Sequence, residues 1–125
     1  MPKPAMPILP PTWGAEPIKI LRGAKAAAAH LRWTVRRVFR ECESKRLPHW
    51  IEGKNQLYFN TGVLDLHQFL RQVYELLGRR YGREDIAKCL PLYAMVMQGI
   101  WPTIDDITNV LIKVGVLRQT GSKAD

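Results

Sequence analysis

Cysteine is scarce. Two in 125 residues exclude a disulfide framework, and Cys42 and Cys89, both inside helical patterns, read as buried thiols of a cytoplasmic protein. No apolar run approaches the roughly 20 residues of a bilayer-spanning helix, so no membrane partner is expected. The N-terminus carries prolines where a secretory leader has its apolar region, which argues against export. Residues 18–40 are rich in arginine and free of acid, as import presequences are, but serine is rare and the start is proline-rich.

Catalytic signatures are missing as well. His30, His49 and His67 are far apart in sequence, and none adjoins a serine or cysteine in a nucleophile motif. There is no glycine-rich phosphate loop. The acid pairs Glu84-Asp85 and Asp105-Asp106 are accounted for as helix starts. Cys42, His49, His67 and Cys89 match no common zinc spacing. The chain therefore reads as non-enzymatic, with no metal and no cofactor.

What is present is enough apolar sequence for a core: hydrophobic residues make up 46%, and the length suits one domain. The organising stretch is 64–81. Leu66, Phe69, Leu70, Val73, Leu76 and Leu77 recur at the spacing of one helix face. Asp65 is placed to cap its start with Gln68 as reciprocal partner, and Gly78 or Gly82 to end it. The wide stripe predicts neighbours on more than one side.

Around this helix the expected fold is mainly α: a single small domain of about four helices over 18–118, a proline-rich N-terminal arm over 1–17, and a flexible tail over 119–125. Six prolines in the arm favour polyproline II, while Met6, Ile8, Leu9 and Trp13 equip it to lie on the domain itself or in a partner's groove. Residues 24–44 read as one long helix with Ala24, Ala28, Leu31, Val35, Val38, Phe39 and Cys42 inward. Pro48 stops it. Residues 49–59 read as a short β-hairpin turning at 52–55, or as a two-sided loop. Residues 84–98 form a helical region interrupted at Pro91, apolar enough for burial or an oligomer interface. Thr103 and Asp106 make a capping box for a helix over 104–114, which Gly115 closes with Val116 and Leu117 as post-cap contacts.

Segment 84–118, two helices about a glycine-containing break, loosely resembles helix-turn-helix and winged-helix domains. Asp105 and Asp106 occupy the first turn of its would-be recognition helix, and carboxylates there repel DNA. Groove reading by this helix is not expected.

Charge placement carries the functional expectation. Residues 19–46 hold nine bases against Glu41 and Glu43, which leaves +7 of the net +8. Such a block is a footprint for a polyanion or an acidic protein. On the predicted helix Lys25, Arg32, Arg36 and Arg40 share a stripe, Arg37 lies further round, and Trp33 falls opposite the apolar centre among them. Trp33 is either a stacking surface flanked by phosphate-binding cations or is covered by the arm or the 46–62 segment. Arg79 and Arg80, with Tyr81, form a second, smaller cluster. The expected function is nucleic-acid binding, of DNA or RNA, by Lys25, Arg32, Trp33, Arg36, Arg37, Arg40, Arg79 and Arg80 on the phosphate backbone. The alternative is an interaction subunit of a protein assembly or homo-oligomer, anchored by the arm and Trp33. A membrane-surface role for 18–40 is set aside because its apolar face is needed by the core.

Overall fold

The computed structural model describes residues 13, 14 and 16–117. Of the proline-rich arm expected over 1–17, residues 1–12 and 15 lie outside the described residues, as does the loose tail expected over 119–125. Among the described residues the chain is mainly helical with a small antiparallel sheet. The order is β1 (Ile20–Arg22), α1 (Ala24–Leu31), α2 (Val35–Glu43), β2 (Trp50–Glu52), β3 (Gln56–Asn60), α3 (Thr61–Leu76), α4 (Arg83–Lys88), α5 (Leu90–Met97) and α6 (Ile104–Lys113). The sheet runs β1-β3-β2.

Of the two readings of 49–59, hairpin and loop, the hairpin forms. Trp50 pairs with Tyr58 and Glu52 with Gln56, and the rings of Trp50 and Tyr58 stack at 5.9 Å. The turn passes through Gly53 and Asn55 at φ 63° and 62°, a conformation these two residue types tolerate best. The third strand was not expected. β1 sets Leu21 opposite Phe59, and a three-residue strand paired this far along the chain leaves no local pattern to read.

β3 runs directly into α3. Asn60 ends the strand and caps the helix, its Oδ1 accepting the Val63 N–H at 3.0 Å. Asp65, the expected cap, therefore lies inside α3. The Thr61 N–H donates to the Lys19 carbonyl at 2.9 Å, and the Lys19 N–H donates to Thr61 Oγ1 at 2.8 Å, which clamps the helix start to the chain entering β1. A Cβ on Gly62 would lie 2.8 Å from Ile18 Cδ1 and 2.9 Å from Val96 Cβ. The missing side chain is what lets α5 approach the first turn of α3.

α3 stands between two apolar clusters, as its wide stripe predicts. Leu66, Phe69, Leu70, Val73 and Tyr74 meet α5 and α6 through Leu92, Tyr93, Val96, Ile107 and Leu111. Leu64 joins the other cluster, with Ala27, Ala28, Val38, Cys42, Leu47 and Phe59. Leu76, expected inside, is 56% exposed, because the helix ends there and Gly78 turns the chain away at φ 70°.

The single helix expected over 24–44 is two helices. Arg32 takes the left-handed conformation at φ 60° and ends α1. Thr34 starts α2, its Oγ1 accepting the Arg37 N–H at 3.1 Å, a standard N-cap. The break swings Val38 and Cys42 onto the cluster that the α1 alanines pack against, and leaves Val35 and Phe39 exposed. Apolar periodicity missed it because a threonine cap and an arginine in the left-handed region do not disturb the spacing. Among the described residues six helices thus replace the expected four or so, since 84–98 also divides, into α4 and α5, with Pro91 in the first turn of α5.

The capping box of α6 forms as predicted: the Asp106 N–H donates to Thr103 Oγ1 at 3.0 Å and the Thr103 N–H to Asp106 Oδ2 at 2.9 Å. Val116 and Leu117 pack back on the first cluster. The end of the arm lies on its own domain. Trp13 packs against Trp101 at 4.7 Å and Phe69 at 5.9 Å, donating its Nε1–H to the Pro102 carbonyl at 3.0 Å. Trp101 returns a bond to the Glu16 carbonyl at 2.9 Å. No helix among the described residues is long and apolar enough to cross a membrane.

Candidate nucleic-acid interface

The polar face of α3 is Gln68, Arg71, Gln72 and Glu75, the complement of its apolar stripe. α2 lays Arg37 and Glu41, one turn apart, beside that face. Arg71, Gln72 and Glu75 share a cavity of about 250 Å³ with Trp33 and Arg37. A second cavity, of about 410 Å³, shares Arg71 and Glu75 with the first and adds Glu41, Arg46, His67, Arg79 and Arg80. A third, of about 540 Å³, shares Arg46 and Arg80 and continues to Arg83, Glu84 and Asp85. The three cavities adjoin at these shared side chains, and together they reach from the α1–α2 junction past α3 to the start of α4 as a groove interrupted by those side chains.

Six arginines line it, drawn from α2 (Arg37), the α2–β2 loop (Arg46), α3 (Arg71), the α3–α4 loop (Arg79, Arg80) and α4 (Arg83). Two are tied loosely to acids: Arg46 to Glu41 at 3.4 Å and Arg71 to Glu75 at 3.5 Å. At such partly exposed positions these ties are weak. Arg79 and Arg80 are exposed and have no ion pair among the described residues. Gly78 and the bond from the Arg79 N–H to the Tyr74 carbonyl at 2.8 Å fix where they leave the helix.

Trp33 is half-buried, in the junction between α1 and α2 rather than on a helix face, and packs against the second cluster. The Arg37 guanidinium carbon sits 3.9 Å from its ring centroid, a close cation–π pair. Trp33 is therefore neither a bare outward ring nor covered by the described part of the arm, which packs at Trp101. Its ring is sandwiched between core and arginine.

Of the residues expected at the interface, Trp33, Arg37, Arg79 and Arg80 line the groove. Lys25, Arg32, Arg36 and Arg40 are exposed but line none of its three cavities. The stripe drawn through those four does not exist, because the helix breaks at Arg32. Arg36 and Arg40 sit about 100° round α2 from Arg37 and Glu41. Sequence reasoning missed Arg46, Arg71, Arg83 and His67 as members of one site. Arg71 had a signal, its place in the polar stripe of α3.

His67 is 3% exposed. Burial, then the charge of Arg71, pushes its pKa down to about 4, so the ring is neutral at pH 7. It packs at 5.3 Å against the ring of Tyr81, whose hydroxyl is 2.6 Å from that of Tyr93. Its Nδ1 is buried and has no hydrogen-bond partner among the described residues. Burial raises the thiols of Cys42 and Cys89 to about 11, which keeps them protonated and unreactive. Among the described residues no group of three or more His, Cys, Asp or Glu is placed to hold a metal ion. No family model, curated protein or solved structure matches the chain.

Proposed function

We propose that the protein binds nucleic acid, without enzymatic activity, by seating a sugar–phosphate backbone in the arginine groove. One observation carries this: six arginines from five segments of the chain line three adjoining cavities. The guanidinium fork pairs bidentately with phosphate oxygens and is only weakly hydrated, and a run of such forks follows a backbone without reading its sequence. The Arg37–Trp33 pair at one end offers a guanidinium plane on which an unpaired base stacks. Lys25, Arg32, Arg36 and Arg40, exposed outside the three cavities, add to the attractive field rather than forming the contacts. The role that fits is an accessory factor or a subunit of a nucleoprotein complex. A salt titration of binding to single- and double-stranded oligonucleotides is the test. A steep loss of affinity with salt is expected, and no binding to either at low salt would remove the reading.

A second reading, an interaction subunit of a protein assembly, draws on a different surface. An apolar cavity of about 390 Å³ is walled by Pro48, Trp50, Val63 and Met97, and Leu90, Met97 and Ile100 are largely exposed nearby in sequence. Exposed apolar side chains of this kind serve as contact anchors. Trp13 is not available as one, being packed on its own domain.

A further inference from the structure

We propose that the central cavity of the groove is a binding pocket for a phosphomonoester dianion, with His67 at its base as a proton-linked ligand. This deepens the nucleic-acid reading and rests on it for the source of the phosphate, which is the end of a strand; a free nucleotide carries the same group.

Three observations converge on this pocket. The first is charge. Arg46, Arg71, Arg79 and Arg80 face Glu41 and Glu75 across about 410 Å³, and four bases against two acids leave +2. An internal phosphodiester brings one negative charge, whereas a monoester brings about −1.5 to −2 near neutrality.

The second is donor count. A phosphodiester has two free oxygens, and four guanidinium forks supply more N–H groups than two oxygens accept. A monoester has three free oxygens and a single ester link. It alone can enter a pocket end-on and leave its remaining bond pointing out along the groove. The cavity volume lies in the range of small-ligand sites, about 300–1,000 Å³.

The third is His67. A buried ring nitrogen without a partner is costly, and native folds rarely leave one without cause. Nδ1 of His67 is such an atom; it is sealed from solvent while another part of the same side chain lines this cavity, so a ligand reaches it once the ring turns. His67 and Arg71 are one turn apart on α3, so both present to the same space.

The charged and titratable groups around that space are Glu41 from α2, Arg46 from the following loop, Arg71 and Glu75 from α3, and Arg79, Arg80 and Tyr81 beyond it. Burial, and then the Arg71 charge, oppose a proton on His67. A dianion reverses the electrostatic part and accepts a hydrogen bond from the imidazolium. Ligand binding therefore draws a proton onto the complex, and affinity falls as pH rises above about 6, the region where a phosphomonoester's second proton leaves.

The experiment measures affinity for a short thymidine oligonucleotide with a 5′-phosphate, the same strand with a 5′-hydroxyl, the strand with a 3′-phosphate, and AMP, at pH 6 and 8. The His67 ring signals are followed by NMR in parallel. A phosphorylated end should bind about tenfold tighter than a hydroxyl end at pH 6, the gain of one charge-assisted contact. The His67 signals should shift toward the protonated form. The preference should shrink at pH 8 and vanish in His67→Gln. Arg79→Ala, at an exposed loop position that the fold does not depend on, should also lose it, while Arg36→Ala keeps it. Equal affinity for phosphorylated and hydroxyl ends, with unmoved His67 signals, overturns the pocket and leaves backbone binding intact. AMP shifting His67 while no strand binds sustains the pocket and removes the nucleic-acid reading.

Discussion

His30 and Asp65 bridge α1 to α3, with Nε2 of the imidazole 2.7 Å from Oδ1 of the carboxylate. The bond forms because α3 starts at Thr61 with Asn60 as cap, which leaves the Asp65 side chain free to reach sideways. It raises the pKa of His30, chiefly through the hydrogen bond to Asp65. His67, two residues on, is shifted the other way, down to about 4.

These opposite shifts predict a stability optimum near pH 6.5. For His30 the folded pKa lies above the unfolded value of 6.5. Its contribution is complete below that value and is lost as pH rises through the folded pKa. For His67 the unfolded ring takes a proton near 6.5 and the folded one not until about 4, so stability is lost as pH falls between them. Denaturant midpoints measured from pH 4.5 to 9 should show both limbs. Asp65→Asn should flatten the alkaline limb and His67→Gln part of the acid limb. Parallel curves for all three proteins would contradict both assignments.

Leu70 is fully buried where α3 faces the first cluster. Leu70→Ala should cost about 2–5 kcal/mol, the range for buried large-to-small changes. Thermal or denaturant unfolding measures it, and a loss under 1 kcal/mol would show that α3 is not the core helix.

Gly62→Ala places a methyl 2.9 Å from Val96 Cβ, an atom held by its own backbone, as well as 2.8 Å from the end of the Ile18 side chain. Ile18 can turn aside and Val96 cannot without moving α5. The expected cost is about 1–3 kcal/mol, as for other overpacked sites. A neutral or stabilising result would mean that α3 and α5 stand further apart.

Trp13→Ala removes two ring contacts and the bond to the Pro102 carbonyl. Stability should fall by about 1–3 kcal/mol, with nucleic-acid affinity of the folded protein unchanged, since Trp13 lines none of the groove's cavities. Unaltered stability would mean that the arm's end serves a partner instead.

Groove and flank should separate in salt dependence. Changing Arg71, Arg79 and Arg80 together to Ala should flatten the log–log salt slope by roughly 2 to 3 units, if each neutralises one phosphate. The flanking set Arg32, Arg36 and Arg40 should flatten it by less than one unit. Trp33→Ala, which removes the ring that holds the Arg37 guanidinium, should weaken binding by the folded protein with the slope retained, because the number of cations is unchanged. The reverse ranking of the two arginine sets would move the interface from the groove to the outer face of α2.

Local chemistry by itself determined α3 as the core helix and the Thr103–Asp106 cap of α6, and it narrowed 49–59 to a hairpin or a loop and Pro91 to a kink or a helix start. Each rests on residues within a turn or a hairpin of one another: apolar periodicity, a glycine–asparagine turn, a proline's missing N–H, a reciprocal cap. The +7 block and the Arg79-Arg80 pair were legible for the same reason, since charge can be counted along a chain. Tertiary structure alone decided which of those charges share a space. β1 pairs with β3 only because the chain folds back, and α1 ends at Arg32 so that Val38 can reach the alanine cluster. That break turns Arg37 toward α3 and Arg36 and Arg40 away from it. Arg46, Arg71 and Arg83 then meet Arg79 and Arg80 across elements distant in sequence, and His67 is buried beneath them. Spacing reports which face of one helix a side chain occupies; which other element faces it is settled by packing.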